Sequence, residues 1–175
     1  MSDPQEPASG PLTPAFREPA FPGPAPVSQE SPFQGATSQA AVSGEPESPP
    51  PLVVVDGANV VGSVPDGWWR DRAGAASRLR DALAPVAAAG LAGMPGPVEV
   101  LLVVEGRARD IPQAPGGVRV ERASGSGDDK IIELVRREHG ARPIVVVTAD
   151  RGLRDRAVAL GAEVRAPSAV PRSAR

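Results

Sequence analysis

Residues 51–57, PLVVVDG, decide the fold. Four apolar residues, three of them β-branched, run without a polar break and stop at an acid followed by glycine. A strand with one wet face alternates apolar and polar residues. A strand covered on both faces reads instead as a continuous apolar run, the mark of a parallel sheet between helices. Working outward, Val98–Glu105 (VEVLLVVE) and Ile144–Thr148 (IVVVT) repeat the pattern. Val118–Arg122 (VRVER) alternates and suits an edge strand, and Ala162–Arg165 is a last short strand. Between them, Trp68 to about Ala89 is predicted helical, with Leu79, Leu83 and Val86 on one side. Pro85 is expected to kink or split that helix. Asp128–His139 forms a second helix with Ile131, Ile132 and Val135 inward and Gly140 as a stop, and Arg151–Leu160 a third, stopped by Gly161. The alternation of strands and helices predicts a three-layer α/β domain with a mostly parallel sheet over residues 51–166, with residues 167–175 frayed.

Composition sets this domain apart from what precedes it. The chain has 175 residues with 22 prolines, 19 glycines, one histidine and no cysteine. Twelve prolines fall in residues 1–50, where one arginine faces six acids, a net charge of −5. Residues 51–175 carry 18 basic residues against 15 acids, net +3, which together make the −2 of the chain. Residues 1–50 hold too little apolar surface to offset the entropy of ordering and are expected to be a disordered tail. Phe16, Phe21 and Phe33 are its only aromatic residues and the candidate anchors for a protein partner. No basic segment leads into an apolar signal core, and no apolar run is long enough to span a bilayer, so the expectation is a soluble cytoplasmic protein. The absence of cysteine excludes disulfides and thiolate metal sites. A lone His139 makes serine or cysteine triads a poor fit.

The acids fall where such a fold uses them. In open α/β sheets ligands sit beyond the carboxyl ends of the strands. Asp56 ends the first strand and Glu105 the second; Asp128 and Asp129 open the helix after the third; Asp150 follows the fourth. Carboxylates converging on one crevice repel and call for a cation. Oxygen donors without histidine or cysteine suit Mg²⁺ or Mn²⁺ rather than Zn²⁺. The reaction class that follows is metal-assisted phosphodiester hydrolysis. Asn59, one turn beyond Asp56, adds a neutral amide able to hold water or a phosphate oxygen. The same residues also have simpler roles. Ser126 with Asp129 reads as a capping box, Asp150 as a helix N-cap, and Glu105 as a solvated strand end.

Ser124-Gly125-Ser126-Gly127 lacks the spacing of a nucleotide P-loop, and Lys130 has no Ser or Thr after it. Ala58 stands where an aspartyl-phosphate phosphatase needs its second aspartate. Arg70, Arg72, Arg107, Arg109, Arg151 and Arg154 follow the strand ends and are candidates to guide a nucleic-acid backbone. Of Trp68 and Trp69, one ring is expected in the core and one free to stack a base.

VVVDGANVVGS (53–63), SGDDKIIELV (126–135) and VVTADRGLRDRAVALGAEV (146–164) resemble the NYN domain of the PIN-like nuclease superfamily, nearest its YacP-like bacterial branch. The resemblance spans roughly residues 52–166. It implies a PIN-like Rossmannoid sheet and a Mg²⁺- or Mn²⁺-dependent ribonuclease. By position it puts the family's acids on Asp56, Glu105, Asp128, Asp129 and Asp150, and its amide on Asn59. Glu105 departs from the aspartate common in that branch. The implied partner is RNA. A non-catalytic RNA- or ribosome-binding module, an NTP pyrophosphohydrolase, a homodimer, and a scaffold whose tail docks a protein are the alternatives left open by the residues.

Overall fold

The computed structural model describes residues 48–114 and 116–172. The expectations for the tail, including its three phenylalanines, lie outside the described residues for positions 1–47, as does that for residues 173–175. β1 (Leu52–Asp56) leads directly into a short helix α1 (Gly57–Gly62), then a 3₁₀ turn at Trp68–Arg70 and the long α2 (Arg72–Ala89). A two-rung antiparallel hairpin follows, β2 (Gly90–Leu91) and β3 (Met94–Pro95). Then come β4 (Glu99–Val104), a 3₁₀ turn at Gly106–Ala108, β5 (Val118–Arg122), α3 (Gly127–Glu138), β6 (Ile144–Val147), α4 (Arg151–Ala159) and β7 (Glu163–Arg165).

The main sheet runs β5-β4-β1-β6-β7, with every pairing parallel. β1 is central and its four apolar residues are fully buried, as its unbroken run requires. Successive side chains serve opposite layers. Val53, Val55, Val100, Leu102 and Val104 pack with Val60 of α1 and Leu79, Leu83 and Val86 of α2. Leu52, Val54, Leu101, Val103 and Val146 pack with Ile131, Ile132, Leu134 and Val135 of α3 and Leu153 and Ala157 of α4. The molecule is thus the three-layer α/β domain with a parallel sheet that the sequence predicts.

This order places the site. The chain builds outward from β1 through β4 to β5, then returns to the other side of β1 for β6 and β7. Strand order therefore reverses between β1 and β6, and a crevice opens there at the carboxyl ends, the usual ligand position in such sheets.

Two local expectations change, and one helix is added. α2 runs unsplit across Pro85, which lies on its exposed side. Gly57–Gly62 forms α1, a helix that the sequence pattern does not announce. Residues 167–170 are not frayed: Pro167–Ala169 forms a 3₁₀ turn, and Pro167 and Val170 are buried, the latter in the α2-side core. Among the described residues, no helix is long and apolar enough to cross a membrane.

Candidate functional site

Asp56 is the last residue of β1 and the N-cap of α1. Its Oδ1 accepts the Asn59 backbone N–H at 3.1 Å. Its Oδ2 accepts the Thr148 hydroxyl at 2.9 Å. The close turn from strand to helix depends on Gly57: a Cβ there would stand 2.6 Å from the Val103 carbonyl oxygen. From β6 comes the matching half of the floor. Thr148, fully buried, receives the Asp150 N–H on its Oγ1 at 3.0 Å while donating to Asp56. The Asn59 side-chain Oδ1 accepts the Ala149 N–H at 2.8 Å, tying α1 to the β6 exit. Asp150 caps α4, its Oδ1 accepting the Leu153 N–H at 2.7 Å.

Glu105, one residue beyond β4, reaches across to the start of α3, where its Oε2 accepts the Gly127 N–H at 2.6 Å. Ser126, the N-cap by position, makes no side-chain hydrogen bond to the helix. The expected capping box with Asp129 is therefore absent, and a carboxylate from another strand takes its place. The same bond occupies a backbone amide that a phosphate at this helix end would need.

Asp56, Asn59, Glu105, Asp128 and Asp150 line one open crevice of about 260 Å³, with Ala58, Val103 and Gly127. Among the described residues that line it there is no arginine or lysine. Its electrostatics follow. Burial pushes the Asp56 carboxyl above its ordinary value; Asp128 and Glu105 push the same way, against the two hydrogen bonds that stabilise its charge. Asp128 is raised too, by burial first and then by Asp150, Glu105 and Asp129, with Arg156 opposing. Two carboxyls thus resist ionising, first because they are buried and then because neighbouring acids add negative charge.

Asp129 is not brought into the crevice. Its side chain is exposed and pairs with Arg156 at 2.7 Å, lining a separate groove with Ser124 and Lys130. Consecutive helix residues diverge by 100°, so Asp128 and Asp129 cannot both face inward. The arginines divide likewise. The Arg72 guanidinium lies 5.5 Å from the Trp68 ring centroid, and that of Arg70 lies 5.6 Å from the ring of Trp69. Arg107, Arg151 and Arg154 are exposed. Arg109 ties its own loop to the one after β5, its guanidinium donating to the carbonyls of Gly106, Ala123 and Ser124. Trp68 is half-buried and Trp69 exposed, edge-on to each other at 6.2 Å. Thr148 is the site residue that sequence reasoning misses. Its signals are a polar side chain closing an otherwise apolar strand and its place two residues before Asp150.

The donor chemistry of the crevice, carboxylates and one amide, fits a hard divalent cation. Among the described residues no three carboxylates stand close enough to cage an ion between them. Mg²⁺ does not require such a cage: it keeps several waters and binds through one or two carboxylates together with substrate phosphates. Among the described residues, Asp128 has both oxygens free of hydrogen bonds, and Glu105 and Asp150 have one each, so the set fits a hydrated ion.

No known family profile matches the chain, and no curated protein matches it. Among solved structures it is similar to a variant of Rae1 (YacP) from Bacillus subtilis, at 18% identity over 67% of this chain and 70% of that one, with a TM-score of 0.49. With a likeness so distant, the chemistry of this chain has to be read from its own crevice.

Proposed function

We propose that this domain is a divalent-metal-dependent ribonuclease that hydrolyses RNA phosphodiester bonds in the crevice at the carboxyl ends of β4, β1 and β6. The observation that carries the reading is the convergence of Asp56, Glu105, Asp128 and Asp150 on one opening without a basic residue among its lining. A bare phosphodiester would be repelled from that opening. A cation held by these carboxylates would turn that repulsion into binding. When bound, Mg²⁺ or Mn²⁺ polarises the phosphate and lowers the pKa of water beside it.

The chain's own residues supply the frame. Asp56, Asp128 and Asp150 are the side chains that would hold the ion, with Glu105 beside them. Asn59 spends its carbonyl oxygen on Ala149 and so keeps its NH₂ for a phosphate oxygen or a water. Thr148 fixes Asp56 from below. Arg107 and Arg151 stand exposed just after Glu105 and Asp150, placed to meet neighbouring phosphates of the strand.

Cleavage of labelled single-stranded RNA in Mg²⁺ or Mn²⁺, with EDTA as control, tests the reading. Asp56→Asn should reduce cleavage by about 10²–10³-fold or more, the loss typical of removing one preorganised electrostatic group. Asparagine keeps the cap, so the fold should survive, as circular dichroism would show. Full activity in the folded variant would remove Asp56 from the mechanism. A second reading, an RNA-binding module without turnover, is favoured by the lack of a three-carboxylate cage among the described residues. RNA bound equally well in EDTA and never cut would select it.

A further inference from the structure

Beside the acidic crevice lies a second cavity of about 190 Å³. Its floor is apolar, formed by Val61 of α1, Ala76 of α2 and Val104 of β4. Trp68 and Arg72 stand on its wall. Ala58 and Glu105 line both this cavity and the crevice, so the two are adjoining compartments of one surface.

We propose that this cavity receives one unpaired nucleobase of the RNA strand, next to the phosphodiester that lies in the crevice. The inference rests on the ribonucleic-acid reading above and narrows it: the substrate must be single-stranded, or locally opened, at that nucleotide. Size and chemistry select a base. A flat, mostly apolar ring system matches the Val61–Ala76–Val104 floor. Trp68 and Arg72 are the two side-chain types on which unstacked bases settle, an aromatic face and a guanidinium plane. The Arg72 guanidinium lies 5.5 Å from the Trp68 ring centroid, a cation–π contact that ties the two side chains of the wall to each other. A base held in a duplex has both faces covered by its neighbours and cannot enter such a cavity without leaving the stack. Contact through ring faces predicts tolerance of base identity, with a requirement for the base itself.

Trp68 and Trp69 are the only tryptophans in the chain, which makes the test direct. In a Trp69→Phe protein, Trp68 is the sole indole. A short single-stranded RNA, titrated in Ca²⁺ so that a hard cation neutralises the crevice, with a gel run to show that nothing is cut, should quench its emission. The same oligonucleotide with one abasic position, moved stepwise along the strand, should bind the wild-type protein about 5- to 150-fold more weakly at one position, the range expected for losing one stacked base. Trp68→Leu should flatten that scan. Because the abasic scan uses the unaltered protein, a folding defect in the variant cannot mask the result. RNA that binds, by anisotropy, with no quenching of Trp68 and a flat scan overturns the pocket. Absence of any RNA binding overturns it too. Both readouts are independent of turnover, so failure of cleavage would strike the nuclease reading alone, and the pocket would stand or fall on binding.

Discussion

Asp56 carries two duties that pull on its charge in opposite directions. As the cap of α1 and the acceptor for Thr148 it is held ionised; buried among carboxylates it is pressed to take a proton, and burial is the stronger influence. Thr148 therefore acts on the site through Asp56. Removing its hydroxyl with Thr148→Val should raise the Asp56 carboxyl further and shift the acid limb of the cleavage pH profile upward. It should also cost about 1–3 kcal/mol in stability, because a buried carboxylate loses a partner. Thr148→Ser should restore both. Denaturant titration and pH–rate profiles read the two effects separately, and an unmoved profile in the valine variant would reduce Thr148 to a packing residue. At this scale the sequence reveals much, because acids that end apolar strands are visible as text. It does not reveal that Asp129 turns away to Arg156, since the rotation of α3 is set by which of its faces meets the sheet. Nor does it show Glu105 capping α3 in place of Ser126, since that bond joins residues 22 apart in the chain.

Elements are where the crevice obtains its shape. The unbroken runs in β1, β4 and β6 announce buried parallel strands, and the alternating VRVER announces the edge strand β5. Six-residue α1 is illegible, because GANVVG is too short for a periodicity and begins with a glycine that reads as a turn. The burial of Val170 is equally hidden: a single valine among prolines and serines has no pattern to betray it. α1 begins without a spacer after β1, so its first residue presses on the end of β4. Gly57→Ala would put a Cβ 2.6 Å from the Val103 carbonyl oxygen and 3.2 Å from Leu102 Cδ1. Backbone cannot yield as a flexible side chain does, so α1 must shift, at a cost of about 1–3 kcal/mol. The shift would carry Asn59 away from Ala149. Thermal denaturation should show the loss, whereas Gly125→Ala, with open space around its Cβ, should be nearly neutral. Equal melting temperatures for the two variants would mean that the β1–α1 junction is looser than its geometry states.

For the whole molecule, the acid cluster is a liability that a bound cation would relieve, and pH separates the two effects. Asp56 and Asp128 lie above the ordinary carboxyl value of 3.8 in the folded protein. Between 3.8 and those raised values the folded state holds more protons than the unfolded chain, so stability from these groups falls as pH rises and levels off above the folded values. Glu138 works the other way. Its value is lowered by its hydrogen bond from Arg137, with Arg142 adding to it, so its contribution is present above 4.5 and is lost as pH falls through the folded value. Comparing wild type with Asp56→Asn cancels Glu138 and isolates the buried acid. In EDTA the variant should melt higher than wild type at about pH 7, and the gap should close as pH falls to 3.8 and below. Millimolar Mg²⁺ or Mn²⁺ should then raise the wild-type melting temperature at about pH 7, because an ion that binds only the folded state stabilises it by mass action. The same metal should do much less for Asp56→Asn, and less for wild type at about pH 4, where protons compete for the carboxylates. An identical metal shift in both proteins would place the ion outside the crevice. No shift in either would leave the four carboxylates a destabilising cluster without a ligand, and would turn the functional reading toward RNA binding alone.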